Sequence, residues 1–209
     1  MVVKSTPRWL QWAREIQALA QTGAHYAEND YQRERYRRLS EISAEIISEH
    51  TALQVKSLVH VFNQQVGYAT PRVDVRGAVF MKGKLLLVRE RMDGGWTMPG
   101  GWADVGDAPS EAAEREVWEE SGFIVRARKV IGVYDANRIE PMELFHAYKI
   151  IFLCAIVDGK ARPSNETSEV GFFAPHEMPQ TLSSERTQPS QIRDAFLAHA
   201  DAGWQPVFD

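Results

Sequence analysis

Gly101-Trp102-Ala103-Asp104-Val105-Gly106-Asp107 and, after seven further residues, Arg115-Glu116-Val117-Trp118-Glu119-Glu120-Ser121-Gly122-Phe123 form the most informative stretch of this 209-residue chain. A glycine-bearing acidic loop gives way to a helical run, Ser110 to Ser121, and Gly122 has the backbone freedom wanted just past a helix end. On that helix Glu116, Glu119 and Glu120 stand at i, i+3 and i+4, which crowds three carboxylates onto one face with Cβ atoms about 5–6 Å apart. Taken alone, such a triplet reads as a solvated acidic face. Behind Pro99-Gly100-Gly101, where the backbone turns tightly and approaches a ligand closely, it reads instead as a trap for a hard divalent cation that takes oxygen ligands and recruits phosphates. The carbonyl of Gly101 is a candidate to join that metal shell. Arg115, four residues before Glu119, is placed to orient that carboxylate, and Ala113 and Val117 are expected to face a sheet. Asp107 is read as a cap for the helix.

Outward from this stretch the pattern is mixed. Upstream, Val73 to Met81 and Leu85 to Arg89 are rich in β-branched and apolar residues and are joined by Lys82-Gly83-Lys84, a hairpin-like connection. Downstream, strands are expected at Val125 to Tyr134, His146 to Val157 and Val170 to Phe173, with a helix at Ser190 to Ala200. The first third reads as helical. Trp9, Leu10, Trp12, Ala13, Ile16, Leu19 and Ala20 recur at spacings of three and four, with Gly23 as the stop. A second helix starts near Asn29 or Asp30 and runs to Ser48, and a third spans Ala52 to Phe62. A boundary near 64–70 separates a helical domain at 1–66 from an α/β domain at 67–209.

Composition narrows the function. With 44% hydrophobic residues the chain has enough apolar material for a real core. Its single cysteine, Cys154, excludes an intramolecular disulfide and suits a reducing compartment. The apolar run around it, Ile150 to Val157, is far short of the roughly 20 residues a membrane helix needs, and the protein is expected in the cytoplasm. A net charge of −4 argues against general binding to a nucleic-acid backbone. The basic run Arg33 to Arg38 is interrupted by Glu34 and reads as a solvated or partner-facing helix side.

The glycine loop and acidic helix resemble the Nudix box: Gly, five residues, Glu, seven residues, then Arg-Glu-aliphatic-x-Glu-Glu-x-Gly-aliphatic. Asp107 stands where that family has Glu. The resemblance extends over roughly residues 70–180, including Leu85 to Glu90 and Gly95 to Gly101. It implies a mixed sheet sandwiched between helices, preceded by a small all-α domain. The helical N-terminus looks like the extra domain of the subgroup that hydrolyses nucleoside diphosphates linked to a group X, of the ADP-ribose and CDP-choline type.

Carried over by position, the resemblance makes Glu116 and Glu120 the principal ligands of Mg²⁺ or Mn²⁺, more than one ion per site, with Glu119 and the Gly101 carbonyl assisting. Water attack on the P–O–P bridge would yield a nucleoside monophosphate and a phosphorylated X. Glu166, or else Glu169 or a box glutamate, is the candidate general base. Arg89 and Arg138 are candidates to pair a phosphate. Trp96, Trp102, Tyr134 and Phe145 are candidates to stack a base. Pro141 lies 18 residues past Phe123, offset from the place where ADP-ribose enzymes of the family often carry a proline. A homodimer is expected, because so small a helical domain buries little core by itself. Two alternatives stand beside this reading: a Nudix enzyme acting on nucleoside triphosphates or RNA 5′ ends, and a non-catalytic ligand sensor.

Overall fold

The computed structural model describes residues 7–136 and 146–209, so Arg138, Pro141 and Phe145 lie outside the described residues. Two compact units emerge, one from the described residues up to Pro71 and one from residues 72–136 together with 147–209.

The first unit is a set of three helices, α1 (Arg8–His25), α2 (Asp30–His50) and α3 (Val55–Asn63). Their apolar stripes meet in a core of Leu10, Ala13, Ala44, Ile47, Leu58 and Phe62. Buried Ser43 adds a polar tie by donating to the Ala13 carbonyl at 2.7 Å. Asn29 caps α2, its side chain accepting the Gln32 N–H. Two expectations need correction. Gly23 does not stop α1, which continues to His25; the residue is small because a Cβ there would lie 2.2 Å from the Tyr36 ring, so it marks where α1 meets α2. The third helix starts at Val55 rather than Ala52. Thr51, in extended conformation, ends α2 and holds the Leu53 N–H with its hydroxyl, which turns the chain first.

The second unit is an eight-stranded mixed sheet. Its strands are β1 (Arg72–Met81), β2 (Lys84–Glu90), β3 (Trp96–Thr97), β4 (Gly100–Trp102), β5 (Phe123–Asp135), β6 (Ala147–Gly159), β7 (Thr167–Phe173) and β8 (Val207–Phe208). The main path is β3-β2-β1-β6-β5-β8, with β4 on β1 and β7 on β2. Strands β1 and β6 run parallel over eight residue pairs. Lys82 and Gly83 both take positive φ, 52° and 74°, the mirror-image turn that matches the twist of the β1–β2 hairpin.

Each sheet face is covered by one helix. On one, α4 (Pro109–Ser121) packs Ala112, Ala113 and Val117 against Val75, Val79 and Leu86. On the other, α5 (Pro189–Ala200) packs Ile192, Ala195 and Ala198 against Ala78, Leu85 and Leu87. Burying each such Leu or Val contributes about 1.5–3 kcal/mol, so the two faces together hold the sheet between the helices. Cys154 belongs to the first core, and burial pushes its thiol up to about 12, as befits an inert side chain. Tyr134 is also core, 7% exposed, its hydroxyl donating to Asp194; the sequence-based idea that it stacks a base is overturned by that burial.

Candidate active site

Strand β1 begins with charge inside an apolar strand. Arg76 is buried beneath the glycine loop, donating through Nε and Nη2 to the two carboxylate oxygens of Asp74 at 2.9 and 2.8 Å and through Nη1 to the Met98 carbonyl at 3.2 Å. Burial works against its charge, but Asp74 holds the guanidinium firmly protonated. Met98 is thereby fixed just before Pro99-Gly100-Gly101. The Met98 N–H also donates to Thr187 Oγ1 at 3.0 Å, and the Gly77 N–H donates to the Pro99 carbonyl. The loop is therefore clamped from two sides.

Glycine is required at the first of the next two positions, and at the second any Cβ would press on the tip of the Glu116 side chain. Gly100 sits at φ 151°, and a Cβ there would lie 2.0 Å from the Val75 carbonyl; at Gly101 a Cβ would lie 2.9 Å from Glu116 Oε2. With no side chain in the way, β4 passes close to α4, and the Gly100 N–H donates to Glu120 Oε2 at 3.0 Å. Helix α4 starts at Pro109, and Glu111 reaches back to the Ala108 N–H. Asp107 does not cap it, contrary to expectation; Ala108 holds the cap position, and Asp107 instead accepts from Arg115 Nε at 3.4 Å.

The three glutamates do not share one environment. Glu120 is 5% exposed, Glu116 is half-buried, and the Glu119 side chain is 46% exposed. Desolvation pushes Glu120 up to about 8 against the opposing pull of Arg76 and the Gly100 N–H, and desolvation also raises Glu116. Arg115 bridges the outer pair, 2.8 Å from Glu116 and 3.3 Å from Glu119. Its Nη2 lies 3.2 Å from Asp104 and 3.4 Å from Asp107 without hydrogen-bond geometry, so those are charge contacts. Among the described residues no three ligand-type side chains converge on a single point, because Glu119 turns to Arg115 and Glu120 to the loop.

A fourth carboxylate, Glu90 at the end of β2, is 5% exposed and raised by desolvation, and the Glu90 and Glu120 charges act on each other. Its partner is Arg186, at 3.2 Å. Glu166 reaches the same neighbourhood. Thr167, next in sequence, donates to the Glu120 carbonyl at 2.8 Å, the Arg91 N–H donates to the Glu166 carbonyl at 2.9 Å, and the Glu166 charge is felt at Glu90. Glu169 instead pairs with Arg89, which also donates to the Gly94 carbonyl. Trp102 is 39% exposed with Arg72 over its ring, whereas Trp96 is packed edge-on against Phe173.

Glu90, Arg76, Asp74, Arg186 and Thr187 were not singled out from the sequence. For two of them a signal exists: Asp74 and Arg76 interrupt a strand that is otherwise largely apolar, and a charge there is costly unless paired, whereas Glu90 ends its strand beside Arg89. Nothing near Arg186 or Thr187 in the sequence marks them.

Residues 70–194 match the model of the NUDIX domain, and residues 7–62 match a model described as a UDP-X-like N-terminal oligomerisation domain. The chain belongs to the Nudix family. Among its Nudix relatives, the Bacillus subtilis protein YjhB, provisionally named an ADP-ribose pyrophosphatase, is 35% identical over the full length of both chains. A Streptococcus suis ADP-ribose pyrophosphatase of known structure is 34% identical, covering 67% of this chain and all of its own, with a TM-score of 0.62. The structure of a UDP-X diphosphatase matches 98% of this chain and all of its own at 28% identity, with a TM-score of 0.63. The protein is thus a Nudix hydrolase of the pyrophosphatase kind, and Glu116, Glu119 and Glu120 are its box carboxylates. Among the described residues no helix is long and apolar enough to cross a membrane.

Proposed function

We propose that this Nudix hydrolase cleaves the P–O–P bridge of a nucleoside diphosphate linked to X, with ADP-ribose the leading substrate, giving a nucleoside monophosphate and phospho-X. The observation that carries the reading is the desolvated Glu116–Glu120 pair held under the Gly100–Gly101 loop. Glu90 adds a second fully buried carboxylate beside Glu120, and among the described residues the side-chain donors here are hard oxygens, a set that fits Mg²⁺ or Mn²⁺. Glu116 and Glu120 would hold the ion, with Glu119 and the Gly101 carbonyl in support. Bound there, the metal offsets phosphate charge and makes water a better nucleophile.

The remaining roles fall to the chain itself. Arg115 keeps Glu116 and Glu119 oriented, and the Gly100 N–H does the same for Glu120. Glu166, held beside Glu120 through Thr167, is the candidate to take the proton of the attacking water. Trp102 offers an exposed ring to a base, and Arg138 remains a candidate for a phosphate. Arg89 would have to leave Glu169 to play that part. The ADP-ribose preference follows the relatives, two of which carry that activity in their names.

The test is hydrolysis of ADP-ribose, CDP-choline, UDP-sugars, nucleoside triphosphates and 5′-triphosphorylated RNA, each with Mg²⁺, with Mn²⁺ and with EDTA. AMP and ribose 5-phosphate appearing only with metal is the expected result. Release of pyrophosphate from triphosphates with ADP-ribose left intact would move the enzyme to the other Nudix branch, and silence throughout would favour a ligand sensor.

The helical unit, proposed as a separate domain ending near residue 66, is assigned to self-association. Trp12, Leu19 and Tyr26 stand seven residues apart on or just past α1, 52%, 61% and 66% exposed, an exposed apolar stripe on a domain whose model is an oligomerisation domain. Light scattering behind size exclusion should give twice the 23.7 kDa chain mass. Trp12→Glu with Leu19→Glu should return it to one chain, and a monomeric parent would remove the assignment.

A further inference from the structure

Arg186 stands apart from the other two guanidiniums around the buried carboxylates. Arg76 spends all three nitrogens on Asp74 and Met98 and is 4% exposed; Arg115 is shared among Glu116, Glu119, Asp104 and Asp107. Arg186 meets Glu90 through Nε alone, a charge contact of 3.2 Å to Oε1 without hydrogen-bond geometry, and its side chain is a quarter exposed while Glu90 is almost fully buried. Among the described residues its two terminal nitrogens have no hydrogen-bond or ion-pair partner. With only Nε in contact with a carboxylate, the guanidinium keeps its planar terminal two-nitrogen fork available, the shape that a phosphate or carboxylate fills with two parallel hydrogen bonds.

The backbone beneath this fork is unusually well fixed. Buried Lys149 donates to the carbonyls of Arg186 and Glu185. Thr187 joins Thr97 Oγ1 at 2.7 Å and receives the Met98 N–H, and the Ser183 N–H donates to the Trp96 carbonyl. The segment that carries Arg186 is therefore strapped to the strands that feed the Gly100–Gly101 loop, and its charge partner, Glu90, interacts with the charges of both Glu120 and Glu166. A rigid, half-satisfied cation at the edge of an anionic metal site has one obvious chemical complement: an anionic group delivered together with the metal.

We propose that Arg186 is a substrate-binding residue, its terminal nitrogens receiving non-bridging oxygens of the diphosphate while Glu90 holds it in place as a positioning residue. The inference rests on the diphosphate-X reading and adds the residue that recognises the phosphates. Two hydrogen bonds from a charged fork make Arg186 a determinant of binding more than of the chemical step.

The experiment compares wild type, Arg186→Gln and Arg186→Lys with ADP-ribose. KM and kcat are taken with Mg²⁺, and the dissociation constant is measured by calorimetry in EDTA, where no turnover interferes. Expected for Arg186→Gln is a rise in KM and in the dissociation constant of about 10–100-fold, with kcat within about 3-fold of wild type. Arg186→Lys, a point charge without the fork, should recover part of the loss, and it keeps the test alive should the glutamine variant fold poorly. Unchanged KM and binding in both variants, or a fall in kcat and thermal midpoint alone, would overturn the assignment and leave Arg186 a structural strap. ADP-ribose left intact and unbound by wild type would overturn the functional reading beneath it instead.

Discussion

Glu120→Gln is expected to lower turnover by about 10³-fold while making the metal-free protein more stable. The loss in rate follows from the position of Glu120 as the most deeply buried box carboxylate, the one whose charge the loop N–H and Arg76 both address. Glutamine keeps the size and the hydrogen bond from Gly100 but supplies no charge to a cation. The gain in stability follows from linkage. Desolvation lifts the Glu120 carboxyl to about 8 in the fold, while the unfolded chain ionises near the usual 4.5. Between those values the folded state binds more protons, so stability is full below about 4.5 and declines as pH rises towards 8. The decline is on the order of a few kcal/mol.

Two signatures should separate the contributions. In EDTA, the melting temperature of the wild type falls from pH 5 to pH 8, and that of Glu120→Gln falls less over the same range, the remaining decline coming from the raised carboxyls of Glu116 and Glu90. With Mg²⁺, the wild type recovers more at pH 8 than at pH 6, because the cation competes with the proton for the same oxygen, and the variant recovers little. Wild-type turnover in Glu120→Gln would remove this residue from the metal site. A melting curve independent of pH in both proteins would show that burial does not disturb the carboxyl.

How much of this was legible in the sequence depended on how locally each feature is determined. The box helix, its cap at Gly122 and the sheet-facing Ala113 and Val117 were readable because spacing along one helix fixes them. The long strands β1, β2, β5 and β6 showed through as apolar runs, but β3, β4 and β8, two or three residues each, are too short to carry a period and exist only because neighbouring strands supply partners. Helical spacing placed three glutamates on one face, yet their burial differs because Gly101 lets β4 close over Glu116 and Glu120 while Glu119 stays outside. Glu90 and Arg186 meet across 96 residues of sequence. A pairing between β2 and the segment before α5 leaves no trace in either local pattern, and only the strand topology brings them together. Gly23 failed as a stop signal for the same reason: the demand on that residue came from Tyr36 on another helix.

Arg76→Met is expected to destabilise the protein by about 3–5 kcal/mol, the cost of leaving a buried carboxylate without its partner. Among the described residues Asp74, 7% exposed, would retain only Lys149 as a cationic partner, at 3.8 Å, and burial already holds that amine down to about 8, so it is a weak substitute. The Met98 carbonyl would lose its donor as well, loosening the strand that enters the glycine loop. Adding Asp74→Leu should restore most of the stability, because replacing both members of a buried ion pair by apolar groups removes the uncompensated charge. Activity should not return with it. Arg76 also lends its positive charge to Glu120 and anchors Met98, and neither service depends on Asp74 being present. Urea unfolding of the two single variants and the double variant, with ADP-ribose turnover measured on each, gives the comparison. Recovery of stability together with full activity would mean that the pair serves the fold alone; recovery of stability without activity would place Arg76 in the machinery that sets the glycine loop over the box glutamates.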